Sequence, residues 1–159
     1  MIASKKSDLK KTDWEIDFYS RPIIDENGKK RWELLITSTN NFKDTKTFKW
    51  EKICPATSVN SIWLKEALDE AIDEAYIQGW DKPSVIRCWR SSMKTMIKRA
   101  ADQIGIELIS SRRTYSLLEW LIDRERSFYP QQKGYTGVNL APPSNPITNQ
   151  AIPLPEEVR

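Results

Sequence analysis

Apolar and polar residues alternate along Trp14-Glu15-Ile16-Asp17-Phe18-Tyr19, the pattern of a half-buried strand. Asp25-Glu26-Asn27-Gly28 reads as a hairpin turn, and Trp32-Glu33-Leu34-Leu35-Ile36 as the return strand. Asn40 to Thr45 is polar and turn-rich, and Thr47 to Ile53 predicts a third strand ended by Pro55. The period then changes. From about Ser58 to Gln78, Val59, Ile62, Trp63, Ala67, Ala71, Ala75 and Tyr76 recur at helical spacing, and Gly79 suits the residue after a helix. Ser84 to Trp89 predicts a fourth strand. Ser91 or Ser92 can cap a second helix that buries Met93, Met96, Ile97, Ala100 and Ile104 and ends at Gly105. Ile106 to Ile109 is a short fifth strand. Thr114 can cap a third helix with Leu117, Leu118, Leu121 and Ile122 inward, stopped before Pro130.

This β-β-β-α-β-α-β-α order predicts an α/β fold with a mixed sheet of about five strands, in which strands one, four and five run parallel. It is the element order of the ribonuclease H-like fold, an analogy that carries no activity with it. A ferredoxin-like or other α+β sandwich is the structural alternative. Residues 1–13, with Lys5, Lys6, Lys10 and Lys11, read as a basic solvated lead-in, and residues 14–129 as the α/β domain. Six of the nine prolines lie at or after Pro130, so residues 130–159 read as a Pro-rich linker or tail rather than core. A second domain is expected to follow such a linker and is absent from this chain.

Composition narrows the chemistry. The 159 residues suffice for one domain with a real core. With no histidine, imidazole bases, imidazole zinc ligands and Ser-His-Asp triads are excluded. Cys54 and Cys88 form no CxxC pair and read as two free thiols. No apolar run approaches the roughly 20 residues that span a membrane, and the amino-terminal stretch lacks the apolar core of a secretory signal. There is no Gly-rich phosphate loop. Of the seven tryptophans, Trp14, Trp32, Trp50, Trp63 and Trp120 fall on apolar faces or strand ends, while Trp80 and Trp89 flank loops and are the better candidates for exposure.

Net charge is only +3, but it is clustered. Arg87, Arg90, Lys94, Lys98, Arg99, Arg112 and Arg113 face only Asp102 and Glu107 in the same stretch. Basic residues at helix starts oppose the helix dipole unless an anion is bound there. With the topology above, the strand ends bring Tyr19, Arg21, Trp89, Arg90, Arg112, Arg113 and Tyr115 to one sheet edge, where ligands of open α/β sheets bind. Arg21, Arg90, Lys94, Arg112 and Arg113 are therefore the candidate phosphate contacts, and Tyr19, Trp89 and Tyr115 the candidate stacking rings, for a single-stranded RNA. The acidic face of the first helix (Glu66, Asp69, Glu70, Asp73 and Glu74) reads as solvated, or as a docking face for the basic segments or a protein partner. A metal-dependent nuclease would need converging carboxylates. Asp17 with Glu66 or Glu70 offers part of such a site, but arginine stands where the fourth strand should add another. No catalytic residue, metal or cofactor is expected, and Asp17 is expected to pair with Arg90 or another edge arginine.

Several strings resemble one family. These are Trp14 to Ile23, Gly28 to Leu35, Cys54-Pro55-Ala56-Thr57, Val59 to Leu64, Pro83 to Arg90, and Ser111-Arg112-Arg113-Thr114-Tyr115 with Trp120-Leu121. The family is the TAB/ATAB group of cyanobacteria and chloroplasts, and the resemblance covers roughly Trp14 to Tyr129. It implies a non-enzymatic RNA-binding protein that promotes translation of photosystem messages, chiefly those of photosystem I. The RNA partner would be an AU-rich or single-stranded leader of a photosystem mRNA, with translation or assembly proteins as further partners and no membrane insertion. The location implied is the cytoplasm of a cyanobacterium or, for a plastid homologue, the chloroplast stroma. Members carry a second domain after a Pro-rich linker. A protein-interaction scaffold is the alternative reading, and a nuclease the third.

Overall fold

Eleven consecutive strand residues, Trp14–Ile24 (β1), occupy the centre of a five-stranded sheet in a computed structural model that describes residues 8–39 and 46–137. Lys30–Ser38 (β2) and Lys49–Cys54 (β3) complete an antiparallel meander, with Trp14 opposite Ser38 and Trp32 opposite Cys54. The chain then forms the helix Ser61–Ile77 (α1), the strand Val85–Cys88 (β4), the helix Lys94–Gln103 (α2), the strand Glu107–Ser110 (β5) and the helix Tyr115–Asp123 (α3). The sheet order is β3-β2-β1-β4-β5, with β1, β4 and β5 mutually parallel.

The helices cover both faces of the sheet, which a two-layer α+β sandwich does not do. On one face Trp14, Ile16, Phe18, Leu34 and Ile36 pack against Leu64, Ala67, Leu68, Ala71 and Ala75 of α1 and Ile97, Ala100 and Ala101 of α2. On the other, Ile23 and Leu35 pack against Leu117, Leu121 and Tyr129. That second core is small, and the polar positions of β1 share its face. Glu15 and Asp17 are consequently buried, so β1 is covered on both sides and not half-buried as its alternation suggests.

Local chemistry sets the boundaries. The Asn60 side chain accepts the Trp63 N–H at 2.8 Å and caps α1, so this helix starts three residues later than its apolar period implies. Ala56–Ser58 is a separate 3₁₀ turn, and a second, Ser91–Met93, leads into α2. Ile62 is 69 % exposed and Tyr76 is also exposed, because the buried stripe of α1 runs through Leu64 and Leu68 instead. Trp80, expected at the surface, is buried against Phe48, with the Lys10 ammonium 5.5 Å from its ring centroid.

Both flanks expected to be solvated are attached where described. Lys10 pairs in parallel with Trp80, through Lys10 N–H to Gly79 O (2.9 Å) and Asp81 N–H to Lys10 O (2.7 Å). Beyond α3 the chain continues as a π-helix, Arg124–Phe128, and a 3₁₀ turn, Tyr129–Gln131. It then returns to β1. Gly134 O accepts the Ile24 N–H (2.9 Å), and Thr136 N–H donates to Pro22 O (3.0 Å). The tail expected from residue 130 therefore does not begin before residue 137; the rest of that prediction, and residues 1–7, lie outside the described residues.

Candidate nucleic-acid interface

Asp17 sits on the α3 face of β1 and is buried. Arg21, four residues along the strand, donates from Nη1 to Oδ2 at 2.9 Å. Arg90, just beyond β4, donates from Nε to Oδ1 at 2.5 Å and from Nη2 to Oδ2 at 3.2 Å. Burial pushes the Asp17 carboxyl up, but Arg21 and then Arg90 outweigh it and hold the group below its ordinary range. The expected pairing of Asp17 with Arg90 is what the structure has.

The ionic layer extends across the sheet. Arg21 Nε lies 3.3 Å from Glu33 Oε1, and the same oxygen accepts from Arg124 Nη2 (3.0 Å) and from the Tyr129 hydroxyl (2.6 Å). Arg124 also reaches Glu51 at 2.8 Å and stacks on Phe128, with its guanidinium carbon 4.2 Å from the ring centroid. Glu33, Arg124 and Tyr129 were not singled out by sequence. The available signal was a glutamate inside the strand Trp32-Glu33-Leu34-Leu35-Ile36, since a carboxylate in a covered strand requires a partner.

Four of the expected RNA contacts meet at this layer, and for Arg21 and Arg90 the burial corrects the assignment. Arg21 is 1 % exposed and both ends of its guanidinium are engaged by Asp17 and Glu33. Arg90 is 7 % exposed and lies between two rings, its guanidinium carbon 4.0 Å from the Tyr19 centroid and 4.3 Å from that of Trp89. Tyr19 and Trp89 thus stack on an arginine of their own chain. Arg21 and Arg90 cannot offer phosphate contacts without breaking the packing around Asp17, while Tyr19 and Trp89, both half-buried, each have one ring face taken by Arg90.

Lys94, Arg112, Arg113 and Tyr115 remain outside it. Arg112 and Arg113 are exposed and make no side-chain hydrogen bond or ion pair among the described residues. The loop that carries them is fixed from its backbone, with Arg113 N–H on Ser111 Oγ (2.9 Å) and Thr114 N–H on Arg112 O (2.9 Å). Tyr115, the first residue of α3, is 65 % exposed. Arg113 and Tyr115 line a pocket of about 490 Å³ with Glu15, Thr39, Arg87, Ser116 and Glu119. Lys94 is exposed at the start of α2. The eight residues are therefore divided between a buried layer and an exposed surface.

Two neighbours shape the pocket. Arg87 is held by Asp13 at 2.7 Å. Glu15 Oε1 accepts the Leu117 N–H at 2.9 Å, so a carboxylate from β1 caps α3 from across the fold. Burial raises the Glu15 pKa above its ordinary value, more than the Leu117 bond and Arg87 lower it.

The remaining polar candidates are accounted for locally. Glu70 of the acidic helix pairs with Lys52 on β3 (2.6 Å) and Asp69 with Lys65 (2.9 Å), so none of the basic segment from Arg87 to Arg113 is used there. Cys54 and Cys88 are free and buried, and burial pushes both thiols up to about 11, far from nucleophilic range at neutral pH. Among the described residues no three Cys, Asp or Glu side chains are grouped to hold a metal ion, and no helix is long and apolar enough to cross a membrane.

Comparison with known proteins places this arrangement. Residues 13–124 match the family model described as RNA-binding protein Tab2/Atab2 N terminal. The chain is 37 % identical over 123 residues to "Protein TAB2 homolog, chloroplastic" of Zea mays, and 36 % identical over 124 residues to the protein of the same name in Arabidopsis thaliana. Each match covers 77 % of this chain but only 30 % and 31 % of those relatives, so the chain spans about a third of their length. Among solved structures, the magnesium-bound HTLV-2 integrase catalytic core domain in its dimeric form is similar at 14 % identity and a TM-score of 0.42, covering 80 % of each chain. A chain of the simian T-cell lymphotropic virus intasome is similar at 18 % identity and a TM-score of 0.40, covering 78 % of this chain and 44 % of that one. The exposed arginines before α3 and the Asp17, Arg21, Glu33, Arg90 and Arg124 side chains of the ionic layer thus lie within the matched region, and the chain belongs to the Tab2/Atab2 family of RNA-binding proteins, of which it holds the N-terminal domain.

Proposed function

We propose that this domain binds single-stranded RNA without cleaving it and serves translation of photosystem messages, chiefly those of photosystem I. The observation that carries the reading is the unpaired Arg112–Arg113 couple beside the exposed Tyr115 ring. Two free guanidiniums next to a free aromatic ring suit a phosphate backbone with unstacked bases. The family supplies RNA as the partner class. The chloroplastic names of the maize and Arabidopsis relatives support a chloroplast location, in the stroma, or the cytoplasm if the source is a cyanobacterium.

The scaffold is read as ribonuclease H-like from its β3-β2-β1-β4-β5 order. The non-catalytic reading rests on Asp17, whose two oxygens are taken by Arg21 and Arg90. A carboxylate locked between two guanidiniums is not available to coordinate a metal.

The test is fluorescence anisotropy of the 159-residue chain with a labelled AU-rich single-stranded leader RNA. Affinity should fall with salt at a log–log slope of roughly −0.7 per phosphate engaged. The double variant Arg112→Glu and Arg113→Glu should abolish binding while the circular dichroism spectrum is unchanged. Undiminished binding by that variant sinks the interface assignment. Magnesium-dependent cleavage of the RNA, lost in Asp17→Asn, overturns the non-catalytic reading.

One observation favours a second reading, a scaffold for translation or assembly proteins. The outer face of α1 exposes Ile62 and Ile77 (69 % and 76 %) beside the acidic Glu66 and Asp73, a mixture that suits protein docking. Failure of the leader RNA to bind at any salt concentration would move the weight to this face.

A further inference from the structure

We propose that the pocket at the start of α3 seats one unpaired nucleotide and that Glu119 reads its base, with guanine preferred; this rests on the RNA-binding reading above. The pocket, at about 490 Å³, lies in the size range of small-ligand sites. It brings together three kinds of group that a nucleotide uses. Arg113 supplies an unpaired guanidinium for the phosphate, with Arg112 next to it in sequence. Tyr115, 65 % exposed, supplies a ring for the base. Glu119, exposed on the second turn of α3, supplies a carboxylate that makes no ion pair or hydrogen bond among the described residues.

Chemistry selects the base. An ionised carboxylate only accepts hydrogen bonds. The Watson–Crick edge of guanine sets two donors side by side, N1–H and the 2-amino group, and both oxygens of one carboxylate can accept them. Uracil presents one N–H between two carbonyl oxygens, which a carboxylate repels. Adenine and cytosine each offer a single amino group on that edge. Glu15 does not compete for the role, because its Oε1 is held by the Leu117 N–H. A base can enter such a pocket only when unstacked, so the ligand is single-stranded. A phosphopeptide would also suit the arginines, but it would give Glu119 an anion to repel.

The test measures anisotropy of the 159-residue chain with three labelled nine-nucleotide RNAs: all uridine, uridine with one central guanosine, and uridine with one central inosine, which lacks the 2-amino group. The guanosine RNA should bind about tenfold more tightly than the uridine RNA, and inosine should lose most of that gain. In Glu119→Gln the removal of a negative charge should tighten binding of the uridine RNA modestly, while the guanosine RNA loses its added contact and the guanosine-to-uridine ratio falls toward one. Equal affinity for the three RNAs, or an undiminished ratio in Glu119→Gln, overturns the proposal. If none of the three binds, the RNA-binding reading itself falls and the pocket reading with it.

Discussion

The Asp17 carboxylate and the Arg90 guanidinium, 73 residues apart in sequence, close a two-point ion pair at 2.5 and 3.2 Å between β1 and the chain beyond β4. The pair ties the antiparallel meander to the parallel half of the sheet at a level where β4 itself has ended. Arg21 holds the other side of the same carboxylate, and both members of the pair are buried.

Breaking one partner of a buried pair strands the other, at a cost of about 3–5 kcal/mol. Asp17→Asn and Arg90→Met should each lose stability of that order in urea unfolding. The double variant should lose clearly less than the sum of the two, because the second change removes the group that the first left unpaired. Strictly additive losses would show that the pair is not the unit the geometry makes it.

Asp17 also fixes an acid limit. Its folded pKa lies below the ordinary value near 3.8, so the unfolded chain takes up this proton first as pH falls. The stability it contributes is complete above the unfolded pKa and is lost as pH drops toward the folded one. Urea midpoints measured from neutral pH downward should therefore show a constant gap between wild type and Asp17→Asn above about pH 5, closing below pH 4. A gap that stays constant into strong acid would mean that Asp17 titrates normally in the fold.

These groups show where the sequence is readable and where it stops. Periodicity locates the sheet strands and the three α-helices but not the 3₁₀ and π segments, because the spacings of Trp14, Ile16 and Phe18, or of Ala67, Ala71 and Ala75, are imposed by the faces they cover. The free arginines are legible too: Arg112 and Arg113 are adjacent and stand just before a helix start. Arg21 and Arg90 are not separable from them by residue type or position. Their burial depends on Asp17 and Glu33, which share their side of the sheet only once β1, β2 and β4 are paired. The use of one face of Tyr19 and of Trp89 by Arg90 is equally hidden, since Tyr19 meets that cation only once β1 and β4 are paired. The boundary at Pro130 misleads because proline and glycine mark turns equally well in a tail and in a segment docked on a strand.

Glu15 should behave oppositely to Asp17 with pH. Its pKa is raised by burial, so protonation favours the fold, and the contribution present below about 4.5 is lost as pH rises through the folded value. Glu15→Gln keeps an acceptor for the Leu117 N–H and removes the charge. Its stability relative to wild type should therefore improve as pH rises from 4 toward 7. Glu15→Ala leaves that buried N–H unpaired and should cost about 1–3 kcal/mol relative to Glu15→Gln across the same pH range. Parallel pH profiles for Glu15→Gln and wild type would refute the burial argument.

Gly134 anchors the last described segment. It has φ +91°, and a Cβ at this position would lie 2.1 Å from Ile24 O, a backbone atom that cannot swing aside. Its own carbonyl accepts the Ile24 N–H at the register break near the end of β1. Gly134→Ala should therefore release the chain around residues 132–137 from β1 while leaving the sheet intact. Lys133, exposed beside it, becomes the reporter. Trypsin should cut at Lys133 at least several-fold faster in the variant, because local opening governs cleavage where a segment is held by few bonds. The far-ultraviolet circular dichroism should not change. Equal cleavage rates in the two proteins would mean that the contact with Ile24 does not hold this segment in solution, and the domain would then end nearer Gln131, where the 3₁₀ turn closes.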